Sequence, residues 1–498
     1  MKYLFIGLLA GMTLGAQAQR EPQARQSSNS LLNATFWQAK PGADLVKAEV
    51  AKGQNPAEMN AMSFDPVVLA INNDAPNESV IYLLEQKGNG VNKPTHDGRT
   101  YLFWAAGKGN VELMQYLLSK GARVDVEDSH GMTVVTYAAA AGQQNTAVYD
   151  LCVKNGVNLK NTLNHDGANA LLLAVGADND LKLTAYFQSK GLDLKSRDAA
   201  GSTAFDYAAR GGNIGVMKAL RAKGVAPTDN ALLLAAQGSR RGGNPLEVFQ
   251  YLESIGIKPT VVGKDGQNAL HAIVRRPDQM QIIRYFLDKG VNVNQVNEDG
   301  NTVFMNAAAF NRDTATIALL LPLAKNLDQA NKSGATALAL AVRGNAPEVV
   351  NYLLKKGANV QATDAKGNNL VYYLFESYTP RTAKDFEPKL QLLQARGVNF
   401  AAPQKDGNTV YHLAVAKNDL ALLKRVQAFG ADVNAKNAEG LTALHKAAMV
   451  SKDGSLLQFL LSAGAQKDVK TSFNETAFDL ASENEFLAKE KVSVDFLK

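Results

Sequence analysis

Cysteine is almost absent from this chain: its 498 residues include one, Cys152. An internal disulfide framework and a cysteine-based zinc site are therefore excluded. Long apolar runs are missing as well. No segment after residue 18 approaches the ~18 continuous apolar residues of a membrane span. A large charge of one sign is also lacking. Lys and Arg number 53 against 47 Asp and Glu, a net charge of +6, which is far short of a nucleic-acid-binding tail. The motifs of several common enzyme classes are missing too. There is no Gly-x-Ser-x-Gly, no phosphate-cradling P-loop and no His-Glu-x-x-His. Gly107-Lys108-Gly109 and Gly88-Asn89-Gly90 lack the third glycine of a dinucleotide fingerprint. With 46% hydrophobic and 20% charged residues, the composition excludes a disordered chain. The length is too great for one compact core, so several domains or a repeat array are expected.

The first residues read as an address. Lys2 supplies positive charge, Tyr3–Gly15 is mostly apolar, and Ala16-Gln17-Ala18 places small residues before a cut at Ala18/Gln19. This is the pattern of a secretory signal peptide. No cysteine follows the apolar run, which argues against a bacterial lipid anchor. The mature chain is expected to be periplasmic or secreted. Residues 19–30 are polar and lack apolar periodicity, and they read as a flexible leader. Cys152 sits in the apolar stripe Tyr149–Val153, the setting of a buried, inert thiol.

A repeat organises the rest. Turn glycines at 98, 131, 167, 201, 266, 300, 334, 367, 407 and 440 fall in one column. The intervals are 33 to 36 residues, apart from one of 65, which holds two units, and one of 40. Each unit opens with a turn ending in Gly and often Thr, which can cap the helix that follows. An Ala-rich first helix comes next, as in Thr442–Ala448. A second helix carries Val and Leu at helical spacing, as in Val349–Leu354, and ends at a glycine such as Gly357. Small residues on the first helix allow close approach, and larger ones on the second fill the layer between neighbours. Each unit then contacts mainly the next.

These units resemble the ankyrin repeat. The resemblance is carried by Gly440-Leu441-Thr442-Ala443-Leu444-His445, by Gly407-Asn408-Thr409-Val410-Tyr411-His412 and by Gly266-Gln267-Asn268-Ala269-Leu270-His271, each with a later Gly-Ala or Gly-Val turn. The family's Thr-Pro-Leu-His appears here almost without its proline. The resemblance covers roughly residues 62–485 and implies an all-α repeat solenoid, an ankyrin array of about 13 helix-turn-helix units with β-turn fingers. It also implies that His271, His412 and His445 brace the neighbouring turns.

The boundaries follow. Residues 1–18 are the signal peptide, 19–30 the leader and 31–61 an N-terminal capping unit. Residues 62–224 form a first sub-array and 265–473 a second, and 474–498 form a C-terminal cap with a charged last helix. Between the sub-arrays, residues 225–264 form an irregular unit. Too few residues separate Gly224 from Leu232 for a finger, and a Gly-rich insert, 238–245, follows. A second insert occupies 376–388.

In ankyrin proteins the two residues after the Ala-Ala of each first helix line a concave groove. Here these slots contain six basic residues and one acidic. The candidate partner-binding residues in the groove are Lys108, Arg210, Arg275, Arg276, Phe310, Arg343 and Lys417, with Arg240 and Arg241 nearby. His96, His130 and His165 stand at the fingertips of three successive units and are a second candidate surface. Units stacked at ~8–10 Å place those three tips too far apart for ligands ~2 Å from one metal, so no metal site is expected. No cofactor or catalytic residue is expected either. The reading is an exported, non-enzymatic protein-interaction scaffold, monomeric, that binds a protein partner with an acidic surface and binds no nucleic acid. It is similar in export signal and repeat type to periplasmic bacterial ankyrin proteins linked to protecting partner enzymes such as catalase. Two alternatives are a secreted effector acting on host or competitor proteins, and an enzyme with its site in the inserted loops.

Overall fold

The computed structural model describes residues 29–239, 242–379 and 381–498. The signal-peptide and leader readings over residues 1–28, and the groove candidates Arg240 and Arg241, lie outside the described residues. Within them the chain forms 28 α-helices and isolated antiparallel bridges, with no extended strand. Packing divides the chain after Gly90 into two units.

The first unit contains the helices Ala34–Gln38, Ala43–Ala51, Pro66–Asn72 and Asn77–Leu84. Its core closes around Trp37, which is fully buried and donates its indole N–H to the Leu31 carbonyl at 2.7 Å. The Ser79 hydroxyl donates to the Pro41 carbonyl at 2.7 Å and ties the two helix pairs together.

In the second unit an inner helix alternates with an outer one. Ala337–Gly344 and Pro347–Lys355 make a representative pair. The inner helix is buried from Ala337 through Val342, so Ala and Leu close the core between units. The outer helix buries Val349, Val350, Leu353 and Leu354, a stripe at helical spacing, and leaves its other face polar. The inner helices start where the sequence places its Thr residues. Thr336 caps through Ala339, and Thr302, Thr409, Thr442 and Thr476 form capping boxes.

The fingers stand between units. Bridges close them at Glu127–Thr133, Leu163–Asn169, Val262–Asn268, Val296–Thr302 and Ala330–Thr336. Gly300 shows why the tip needs glycine. Its φ is 78°, and a Cβ there would meet the Lys332 amide nitrogen at 2.7 Å. Among the described residues no finger forms between Gly224 and Asn230; the segment runs straight into the helix Asn230–Gln237.

The 376–388 insert packs into the array. It starts the outer helix Ala383–Gln394, the longest of those described. Glu387 accepts two bonds from Arg425, Asp385 faces Arg312 at 3.4 Å, and buried Lys389 donates to the Val342 carbonyl at 3.0 Å. The carboxylates of Asp385 and Glu387 are thus held in ion pairs with other units.

Candidate protein-binding surface

The finger layer is fixed by side chains one helical turn inside each inner helix. In Thr442–His445 the Thr442 N–H donates to Nδ1 of His445 at 3.1 Å, and Nε2 donates to the Val469 carbonyl at 2.9 Å. His412 does the same from the Thr409 N–H to the Leu441 carbonyl, and His271 from the Asn268 N–H to the Gln295 and Asn301 carbonyls. A backbone N–H can only donate and a carbonyl can only accept. Each ring is therefore the neutral tautomer with its proton on Nε2. Burial holds all three rings below the ordinary histidine range.

Asp206 occupies the same slot where the next finger is missing. It accepts from the Thr203 N–H at 2.8 Å and from the Thr228 N–H and hydroxyl at 2.9 and 2.6 Å. The connector that replaces the finger offers donors, so an acceptor takes the position that histidine fills elsewhere. Burial pushes the Asp206 carboxyl up, and its hydrogen bonds oppose that shift.

A second ladder fixes the far ends of the inner helices. Asn345 donates its amide to the Ala308 and Asn311 carbonyls, both at 2.8 Å. Asn311 reaches the Val274 and Arg276 carbonyls at 2.9 Å, and Asn484 reaches those of Ala448 and Ser451. Helix ends leave such carbonyls without partners inside the helix.

The groove candidates lie beside this ladder and fall into two groups. Three basic residues reach onto helix-end carbonyls of an adjacent unit, Arg210 forward to the next one, Arg276 and Lys417 back to the one before. Arg210 donates to Gly238 at 3.2 Å; Arg276 donates to Ala236 at 3.2 Å and also to Gln237; Lys417 donates to Glu376 at 2.6 Å. They neutralise the negative ends of inner helices. The other group faces solvent. Arg275 is exposed, and its guanidinium lies 4.2 Å from the ring centroid of Phe310, which is itself 49% exposed. Lys108 and Arg343 are exposed at their helix ends.

At the fingertips, His96 and His130 both reach one oxygen of Asp97, at 3.4 and 3.3 Å. Arg99 joins the same oxygen at 3.1 Å and also holds Asp128 at 2.8 Å. His165 stands apart, on Glu127 at 3.5 Å. Two of the three tips thus meet on one carboxylate, bridged across adjacent units, and the third does not. Among the described residues no group of three His, Cys, Asp or Glu side chains could hold a metal ion, and no helix is long and apolar enough to cross a membrane. Cys152 is buried, and burial pushes its thiol up to about 12.

The sequence profile of ankyrin repeats matches residues 67–159, 232–322, 270–364 and 384–492, more than half of the chain. The chain belongs to the ankyrin repeat family. Ankyrin repeats are in general protein-binding modules without enzymatic activity of their own. Among curated proteins this ankyrin chain is similar to phosphocholine transferase AnkX of Legionella pneumophila, at 32% identity over 137 residues, 25% of this chain and 14% of that protein. It is also similar to alpha-latroinsectotoxin-Lt1a of Latrodectus tredecimguttatus, at 24% identity over 79% of this chain and 28% of the toxin. The chain therefore spans less than a third of either relative. Among solved structures it resembles an ankyrin repeat domain of Acinetobacter baumannii, at 26% identity over 38% of this chain and 94% of that one, with a TM-score of 0.32.

Proposed function

We propose that this protein is an exported, non-enzymatic scaffold that binds a partner protein along the exposed inner-helix ends, with the fingertips as a flanking surface. The observation that carries this is the Arg275–Phe310 pair. Two adjacent units present an arginine stacked on a half-exposed aromatic ring, a combination that recurs at the energetic centres of protein interfaces. Lys108 and Arg343 extend the positive charge on either side, which favours a partner with an acidic surface. Export rests on the Tyr3–Ala18 pattern.

The test separates steering from folding. Arg276, Arg210 and Lys417 hold helix ends and are left in place, and Arg275→Glu is combined with Arg343→Glu. The partner is captured from a periplasmic fraction in which the mature chain begins at Gln19, and association rates are measured against ionic strength. The double variant is expected to associate about tenfold more slowly at low salt, with a flatter salt dependence. Equal rates and equal salt slopes would overturn the inner-helix ends as the binding face.

A further inference from the structure

Arginines from two different units close on the end of the helix between them. The inner helix Asn230–Gln237 and its cap, Gly238, end in the carbonyls of Ala236, Gln237 and Gly238. Arg276, just after the next inner helix, Ala269–Ile273, donates to Ala236 at 3.2 Å and to Gln237. Arg210, the last residue of the inner helix before, Ala204–Arg210, donates its Nε–H to Gly238 at 3.2 Å. The Gly-rich insert makes room for this. A Cβ at Gly238 would lie 2.8 Å from Nη1 of Arg276, and one at Gly243 would lie 3.2 Å from it. Gly238 thus lies against both guanidinium groups and brings them to one place. The exposed guanidinium of Arg275, over Phe310, is the third member. Burial holds Arg276 below the ordinary arginine range, repulsion from Arg275 and Arg210 lowers it further, and no carboxylate opposes the shift. Asp198 and Asp265 line the hollow beside Arg210, but their oxygens accept from Ser202, Tyr207 and Gln267. Among the described residues none of the three arginines forms an ion pair. A helix end offers about half a negative charge, so roughly two of the three positive charges remain unmatched.

We propose that this cluster is a site for a doubly charged oxyanion of the phosphate class, and that the bound anion fastens together the units on either side of the missing finger. Guanidinium forks match phosphate oxygens in pairs. Arg210 spends only its Nε–H on protein, and Arg275 makes no hydrogen bond to protein, so the anion replaces water on both. Arg276 stays on the helix end and contributes charge. A dianion matches the surplus, whereas a monoanion leaves part of it. Arg210 belongs to the unit before the missing finger and Arg275 to the unit after it, so an anion held by both ties the two across the irregular unit. The inference goes beyond partner binding, because a free anion suffices; a phosphate ester carried by a partner presents the same chemistry.

The probe is inorganic phosphate at about pH 8, where the dianion dominates, added to the full chain and compared with acetate at equal ionic strength. Low millimolar concentrations keep the general stabilising effect of phosphate small. Saturable phosphate binding is expected, with amide exchange in the helix Asn230–Gln237 slowed about tenfold when phosphate stands at about ten times its Kd. Acetate should do neither. Arg275→Gln touches no helix end, so it should leave exchange without phosphate unchanged and weaken phosphate at least about tenfold. Arg210→Gln should weaken phosphate likewise from the other side, and it leaves the Arg275–Phe310 partner surface in place, which separates this site from that reading. Equal effects of phosphate and acetate, or wild-type phosphate affinity in either variant, overturn the proposal. A phosphoserine peptide distinguishes the sources. Affinity at least about tenfold above that of inorganic phosphate supports the site with the group carried on a partner, and affinity no higher supports it with the free anion as ligand.

Discussion

His271, His412 and His445 are each locked as neutral rings between a backbone donor and a backbone acceptor. Protonating Nδ1 would set two donors against each other, and burial disfavours the charge as well. In the unfolded chain each ring takes a proton near pH ~6.5, while in the folded chain it resists. The unfolded state then binds more protons, so stability is complete above that pH and falls as the pH drops through it. The urea midpoint should hold between pH 8 and 7 and decline below ~6.5, with a limiting slope of about 1.4 kcal/mol per pH unit for each ring. A variant with His271→Gln, His412→Gln and His445→Gln should lose most of that slope; an unchanged slope assigns the pH dependence to other groups. These three histidines were legible in the sequence because their partner Thr or Asn lies three residues away. Asp206 was not, because its role depends on Thr228, 22 residues on, in a connector that exists only where a finger is missing.

At the scale of the element, each inner helix is specified at one end by a local signal and at the other by a distant one. The Thr caps sit beside the helices they start, so helix starts follow from the sequence. The asparagines that satisfy the far ends do not announce themselves. Asn345 bonds carbonyls 34 and 37 residues earlier, and a lone Asn after a helix looks like any turn residue. The same holds for the groove. Its basic bias could be read from residue types, but the split between Arg276, folded onto the preceding helix end, and Arg275, stacked outward on Phe310, depends on the offset between units. Asn345→Ala would leave two buried carbonyls without donors, at a cost of about 1–3 kcal/mol. Asn345→Asp should be at least as damaging, because it sets a carboxylate against those carbonyls. A denaturation midpoint unmoved by Asn345→Ala would show that water replaces the amide at that helix end.

At the scale of the molecule, an array in which each unit leans on the next has no single stability. Every stretch opens with its own free energy, set by its two interfaces. The lone buried thiol offers a way to measure one of them. Cys152 lies fully inside the outer helix Thr146–Lys154, and its raised thiol is inert while that helix is closed. An alkylating reagent should therefore modify it only in the opened state. Labelling rates would then report how often that segment opens, much as a tell-tale on a wall reports a crack, with no engineered cysteine and no background from a second thiol. If bound partner bridges several units, labelling should slow in its presence by the factor that binding adds to local closure. If labelling is already as fast as for an unfolded thiol, the helix is not holding the cysteine closed.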